Sequence, residues 1–235
     1  MSNFYTDNDD IRFLFRHFDL KRLAEIMEGD FSASGTYDWA PGSAEEAVDN
    51  YDHILEIVGQ VSGEYIAPRA EAVDLAGNTL HEDGTVSYAP GRKENLEKLA
   101  QAQVMGCTLP HRFGGLNCPN LLYTMSNEIV SRADAALMNI YGLQGIAETI
   151  NAFADEAIKQ EYLPGFAEGK LTGAMVLTEP DAGSDLQAVK LRAYQDEKGQ
   201  WRLHGVKRFI TNGCGEVLLV LARSEPDRSG GLGLS

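Results

Sequence analysis

The sequence predicts an α+β protein: an all-α region over residues 1–169, then a strand-and-turn region over residues 170–235. Two observations predict it. Before Gly169 the apolar residues recur every three or four positions, the period of a helix with one buried face. After Gly169 short runs alternate between apolar and polar residues and are separated by turn residues. The chain has 235 residues, 43% hydrophobic and 23% charged, which is ordinary globular usage and excludes a disordered chain.

The elements follow in order. Residues 9–28 carry Ile11, Phe13, Leu14, Phe18, Leu23, Ala24 and Met27 at rough helical spacing, so one helix stopped by Gly29 is expected. Residues 31–42 are rich in Gly, Ser and Pro and predict a loop. Ser43-Ala44-Glu45-Glu46 matches a capping box, in which a serine oxygen and a glutamate satisfy free amides at a helix start. The stripe Val48, Tyr51, Ile54, Leu55, Val58, Val61, Tyr65 and Ile66 predicts a long helix that ends or kinks near Pro68. Residues 74–91 contain three glycines and one proline and predict an irregular excursion with short extended pieces.

Helix resumes over residues 92–105, with Leu96, Leu99, Ala100 and Val104 inward. Residues 106–119, GCTLPHRFGGLNCP, read as a loop. Helices are expected near 120–132 and 133–153, and a shorter one near 155–166 opens on an Asp cap. Strands are expected at 171–177, 190–194, 201–206 and 216–223. The glycine-rich residues 228–235 lack the spacing of a phosphate fingerprint and read as a turn.

The formal net charge is −15, which disfavours non-specific binding to nucleic acid or an anionic membrane. No run of about 18 apolar residues is present, so no membrane span is expected. The opening MSNFYTDNDD lacks the basic and apolar regions of a signal peptide. Cys107, Cys118 and Cys214 are odd in number and lack C-x-x-C spacing, which suggests reduced thiols in a cytoplasmic protein. His17, His53, His81, His111 and His204 are scattered, and no metal site is expected.

Residues 175–185, MVLTEPDAGSD, are the informative segment. A strand leaves its sheet at Glu179-Pro180, because proline cannot donate to a ladder. The turn over 181–185 then concentrates amides and hydroxyls, which suits an anionic or carbonyl-bearing ligand; a plain strand and turn is the alternative. A second segment, residues 205–213, GVKRFITNG, follows on an expected strand.

Together these two segments resemble the acyl-CoA dehydrogenase family, in the reading Leu177-Thr178-Glu179-Pro180-Asp181-Ala182-Gly183-Ser184-Asp185 and then Gly205-Val206-Lys207-Arg208-Phe209-Ile210-Thr211-Asn212-Gly213. Gly114-Gly115 and residues 153–172 are similar to earlier parts of the family, and the long excursion before Arg92 resembles its longer bacterial subgroup. The resemblance implies an N-terminal all-α helical domain, 1–169, followed by an incomplete antiparallel β-barrel-like domain, 170–235, with the family's C-terminal helical domain absent.

It also implies FAD as cofactor and α,β-dehydrogenation of an acyl-CoA thioester. Met175, Val176, Leu177 and Thr178 match the strand beside the flavin ring and its pyrimidine edge. Ser184 matches a residue near the flavin pyrophosphate and the CoA arm, a substrate contact. Phe209 matches an aromatic over one flavin face, Ile210 follows it, and Thr211 matches the hydroxyl that donates toward N5. Met175 stands where an aromatic is common and Phe209 where tryptophan is frequent. Glu179 is read as organising its turn, and the general base is expected beyond Ser235, so that the chain is a fragment inactive alone. The implied partners are an acyl-CoA, an electron-transfer flavoprotein and further copies of a full-length chain. An acyl-CoA oxidase of the same fold, or a non-catalytic flavin- or CoA-binding assembly subunit, are the alternatives. The reading requires the strands ending at Thr178 and Thr211 to lie side by side.

Overall fold

A computed structural model describes residues 2–235. The chain divides into two compact units, Met1–Thr172 and Gly173–Ser235.

The first unit is helical. In order come α1 Asp9–His17, α2 Leu20–Glu28, α3 Ala44–Gln60, α4 Ala70–Ala76, the short antiparallel pair β1 Thr79–Leu80 and β2 Val86–Ser87, then α5 Pro90–Gln101, α6 Asn120–Ala133, α7 Ala135–Gly142, α8 Ile146–Phe153 and α9 Glu156–Ala167. Its core is built from faces that the helical period dictates. Tyr51, Leu55 and Val58 of α3 are buried at i, i+4 and i+7, and Leu122, Met125, Ile129 and Val130 of α6 are buried beside them in one cluster with Leu99 and Leu137. Each such leucine contributes about 1.5–3 kcal/mol by leaving water. Tyr141 is buried too, and its hydroxyl donates to Ser126 Oγ at 3.1 Å.

Several boundaries depart from the sequence expectation. The single helix expected over 9–28 is two, because Asp19 turns its side chain onto the Arg22 amide and caps a new start. Ser43 caps α3 through the Glu46 amide, but Glu46 reaches back to the amide of Gly42 rather than that of Ser43. Helix does not end at Pro68. The chain passes through a wide turn over Val61–Ile66 and a tight one over Ala67–Arg69 into α4, so the missing proline N–H falls where the ladder changes pitch. The expected helix over 133–153 is broken at Leu143–Gly145. Asp155 caps α9 through the Ile158 amide, as the sequence suggests.

In the second unit β3 Gly173–Val176 pairs with β6 Val217–Val220, and β4 Arg192–Gln195 with β5 Trp201–His204. The β4–β5 pair is antiparallel, whereas β3 and β6 run parallel in the register Met175↔Leu219. No closed barrel is formed among the described residues. Arg223 fastens the loops around these pairs. Its guanidinium donates to the carbonyls of Gln187 and Val189 at 2.9 and 3.2 Å and to that of Gly230 at 3.2 Å.

Candidate functional site

The site is built on β3. Along that strand Ala174 and Val176 are buried and Met175 is 38% exposed, the alternation of a half-covered strand. One edge of β3 carries the ladder to β6, which extends to a bond from the Leu221 amide to the Val176 carbonyl at 3.1 Å.

The opposite edge is stitched differently. Asn212 Nδ2 donates to the Gly173 carbonyl at 2.9 Å, and Lys207 Nζ donates to the Leu177 carbonyl at 2.8 Å. The Arg208 amide donates to the Thr178 carbonyl at 2.9 Å. Residues 205–213 therefore run beside residues 173–178 in the opposite direction. The two motifs are neighbours, as the reading requires. The expected strand over 205–213 is not formed, because Phe209 and Asn212 adopt φ of 59° and 54°, left-handed conformations that break a pleated ladder.

At the end of β3, Glu179 and Ala182 close a turn around Pro180-Asp181, with amide-to-carbonyl distances of 2.8 and 3.2 Å. The Glu179 carboxylate is buried and satisfied from three sides. It accepts from the Lys190 amide at 2.7 Å, the Leu191 amide at 2.8 Å and Lys207 Nζ at 3.1 Å. Only 6% of its side chain and 8% of that of Lys207 is exposed. Burial alone would push the Glu179 carboxyl up, but the two amides and the ammonium together hold it below its ordinary range. Three donors on a buried carboxylate suit the turn-organising role expected of it.

The remaining predicted residues lie around this frame with free groups outward. Ser184 and Thr211 are exposed, and Thr178, Leu177 and Ile210 are half-buried. A Cβ on Gly183 would touch Thr178 Cγ2 at 3.9 Å, so the chain folds back beside that threonine. Phe209 is 80% exposed, with the Arg208 guanidinium 4.7 Å from its ring centre. Among the described residues no acceptor pairs with the N–H of Leu177 or of Thr178. Two free amides on opposite edges, three hydroxyls, a bare aromatic ring and an exposed thioether are a donor and surface set that fits a flat heteroaromatic ring with carbonyl edges.

Sequence reasoning passed over the residues that hold the frame. Lys207 and Asn212 both lie in the segment 205–213, yet neither receives a role from spacing alone. Their signal is only their place in the motif.

In the helical unit, the loop containing Gly114-Gly115 is held by a buried pair. His111 Nε2 lies 3.0 Å from Glu28 Oε2, its Nδ1 faces the Gly115 carbonyl at 3.2 Å, and Asn117 Nδ2 donates to Glu28 Oε1 at 3.1 Å. Gly114 has φ of 82°, and a Cβ on Gly115 would stand 2.0 Å from the Leu109 carbonyl oxygen, so the backbone itself requires glycine there. Cys107 and Cys118 are buried and Cys214 is exposed. Among the described residues no group of three or more His, Cys, Asp or Glu could hold a metal ion, and no helix is long and apolar enough to cross a membrane.

Comparison with known proteins matches this architecture. The family described as acyl-CoA dehydrogenase, N-terminal domain, matches residues 49–170, and acyl-CoA dehydrogenase, middle domain, matches residues 174–234. The chain is 32% identical over 208 residues to 3-methylmercaptopropionyl-CoA dehydrogenase of Ruegeria pomeroyi, covering 81% of this chain and 34% of that protein. It is similar to the structure of butyryl-CoA dehydrogenase from Megasphaera elsdenii, with a TM-score of 0.65 and 25% identity over 77% of this chain and 46% of that one. It is similar also to an acyl-CoA dehydrogenase complexed with FAD from Bacillus anthracis, with a TM-score of 0.65 and 26% identity over 75% of this chain and 29% of that one. The chain thus spans less than half the length of each of these relatives. With both matched segments in order and the two motifs side by side, the chain belongs to the acyl-CoA dehydrogenase family.

Proposed function

We propose that this chain supplies the flavin-edge and N-terminal helical parts of an enzyme that dehydrogenates an acyl-CoA thioester between its α and β carbons with FAD. The observation that carries the reading is the unpartnered amide of Thr178 just beyond β3, with the segment that bears the exposed Phe209 and Thr211 running alongside that strand.

When bound, FAD supplies the acceptor for the β-hydride. The chain's own residues bind and orient it. The N–H of Thr178 and its hydroxyl would present donors to the pyrimidine edge, which needs fixed partners once it is removed from water. Met175 and Val176 continue that strand, with Met175 turned outward. Phe209, followed by Ile210, covers one ring face, and the Thr211 hydroxyl donates toward N5. Ser184, exposed on the turn after Ala182, donates to the pyrophosphate or the CoA arm. Glu179 moves no proton in this scheme and keeps the turn closed. Electrons leave to an electron-transfer flavoprotein, and the assembled enzyme is a homo-oligomer.

Titration of the purified protein with FAD, read by flavin fluorescence quenching, tests the binding half. Saturable binding that weakens in Thr178→Ala and Thr211→Ala is expected. The reading fails if wild-type protein leaves flavin fluorescence unchanged. Anaerobic bleaching of the flavin by a series of acyl-CoA thioesters in the assembled enzyme then tests the reaction.

A further inference from the structure

We propose that Lys207 is a positioning residue for this site, holding the Leu177 carbonyl so that the N–H of Thr178 is aimed at the flavin. The proposal rests on the flavin reading above.

The Leu177 carbonyl and the Thr178 N–H belong to one planar trans peptide unit and point in opposite directions. Whatever fixes the oxygen therefore fixes the direction of the hydrogen. The oxygen is fixed by Lys207 Nζ at 2.8 Å, and the hydrogen meets no acceptor among the described residues. The peptide unit on the other side of Thr178 is also held. Its carbonyl accepts from the Arg208 amide at 2.9 Å, and its N–H, on Glu179, donates to the Ala182 carbonyl at 2.8 Å. Thr178 thus stands between two clamped peptide planes with one donor left over.

Burial makes the clamp stiff. With only 8% of the Lys207 side chain exposed, its ammonium is compensated by protein groups, here the Leu177 carbonyl and Glu179 Oε1. Glu179 is itself fixed by the amides of Lys190 and Leu191 at 2.7 and 2.8 Å, which anchors the ammonium. An ammonium on the oxygen also polarises the peptide and strengthens its N–H as a donor.

A plain counter-ion role for Lys207 would satisfy Glu179 without concern for Leu177, and the two roles separate in a variant series. The double variant Glu179→Gln/Lys207→Met removes the buried charge pair together and also the bond to Leu177. Lys207→Arg keeps the charge but moves its donors, since a planar guanidinium cannot occupy the place of a compact ammonium. The measurements are thermal unfolding without flavin, FAD affinity by fluorescence quenching, and the absorption envelope of the bound flavin.

The expected result is that Lys207→Arg folds as wild type does while binding FAD about tenfold more weakly, the loss of one well-aligned hydrogen bond, with a shifted absorption envelope. The double variant, where it folds, shows the same weakening and the same shift. Wild-type affinity with an unchanged envelope in Lys207→Arg, or in a folded double variant, overturns the positioning role and leaves the flavin reading standing. No FAD binding by the wild-type protein overturns both.

Discussion

The side-chain amide of Asn212 donates to the Gly173 carbonyl at 2.9 Å, although 39 positions separate the two residues along the chain. It closes the far end of the seam whose near end is closed by Lys207. Asn212 also sits at φ of 54°, a conformation asparagine tolerates better than alanine. Asn212→Ala is expected to lower the unfolding free energy by about 1–2 kcal/mol, from the lost bond and the added backbone strain. Asn212→Gly relieves the strain and isolates the bond. Urea denaturation of the three proteins measures both terms, and equal stability of all three would show that the seam is not held by this residue.

Phe209 combines 80% exposure with φ of 59°. Its side chain adds little to the packing of the free protein, while its backbone is strained, a pattern found where strain serves binding. Phe209→Gly is expected to raise or leave unchanged the thermal midpoint and to weaken FAD binding. Loss of stability in this variant would mean that the ring packs against the protein in solution.

Glu179 links stability to pH. Its carboxyl is held below the ordinary range in the folded protein, so it binds a proton more readily when unfolded. Its contribution is fully present above the unfolded value, about 4.3, and is lost as pH falls through the lower folded value. Thermal scans from pH 6 downward are expected to show a stability loss in acid that is reduced in Glu179→Gln. An identical acid profile in the variant would remove Glu179 as the linked group.

The His111–Glu28 pair makes a separate prediction for the helical unit. Their side chains are 5% and 2% exposed, and both ring nitrogens of His111 face acceptors. Glu28→Ala takes the acceptor from His111 Nε2 in a buried place, while Nδ1 keeps the Gly115 carbonyl and Asn117 Nδ2 keeps the Met27 carbonyl, and is expected to cost about 1–3 kcal/mol. Chemical denaturation gives the number, and a change under about 1 kcal/mol would mean that water replaces the carboxylate.

The parts of this fold that are legible in the sequence are those where one local rule decides. Tyr51, Leu55 and Val58 declare their helix by period, and Asp155 its start by capping. Glu179 and Pro180 announce that the strand leaves its sheet, because a proline cannot continue the ladder, and β3 ends a little earlier, at Val176. The break at Phe18-Asp19 is less visible, since the apolar stripe continues across it while a side-chain cap competes locally. The seam beside β3 is not legible at all from pattern. The family pattern implies a strand over 205–213, but the pairing there uses the side chains of Lys207 and Asn212 across about thirty to forty positions. No short-range rule carries that distance; only the family likeness of the two motifs brings them together.

The two unlike edges of β3 have a consequence for hydrogen exchange. Val176 faces the β6 ladder, and Ala174 lies two residues away on the same side. Met175 and Leu177 face the edge where only carbonyls are engaged. Deuterium is therefore expected to enter the amides of Met175 and Leu177 well before those of Ala174 and Val176, a sawtooth of protection within a single strand. Added FAD should slow the Thr178 amide selectively and leave that sawtooth in place, which would register the cofactor's edge at single-residue detail.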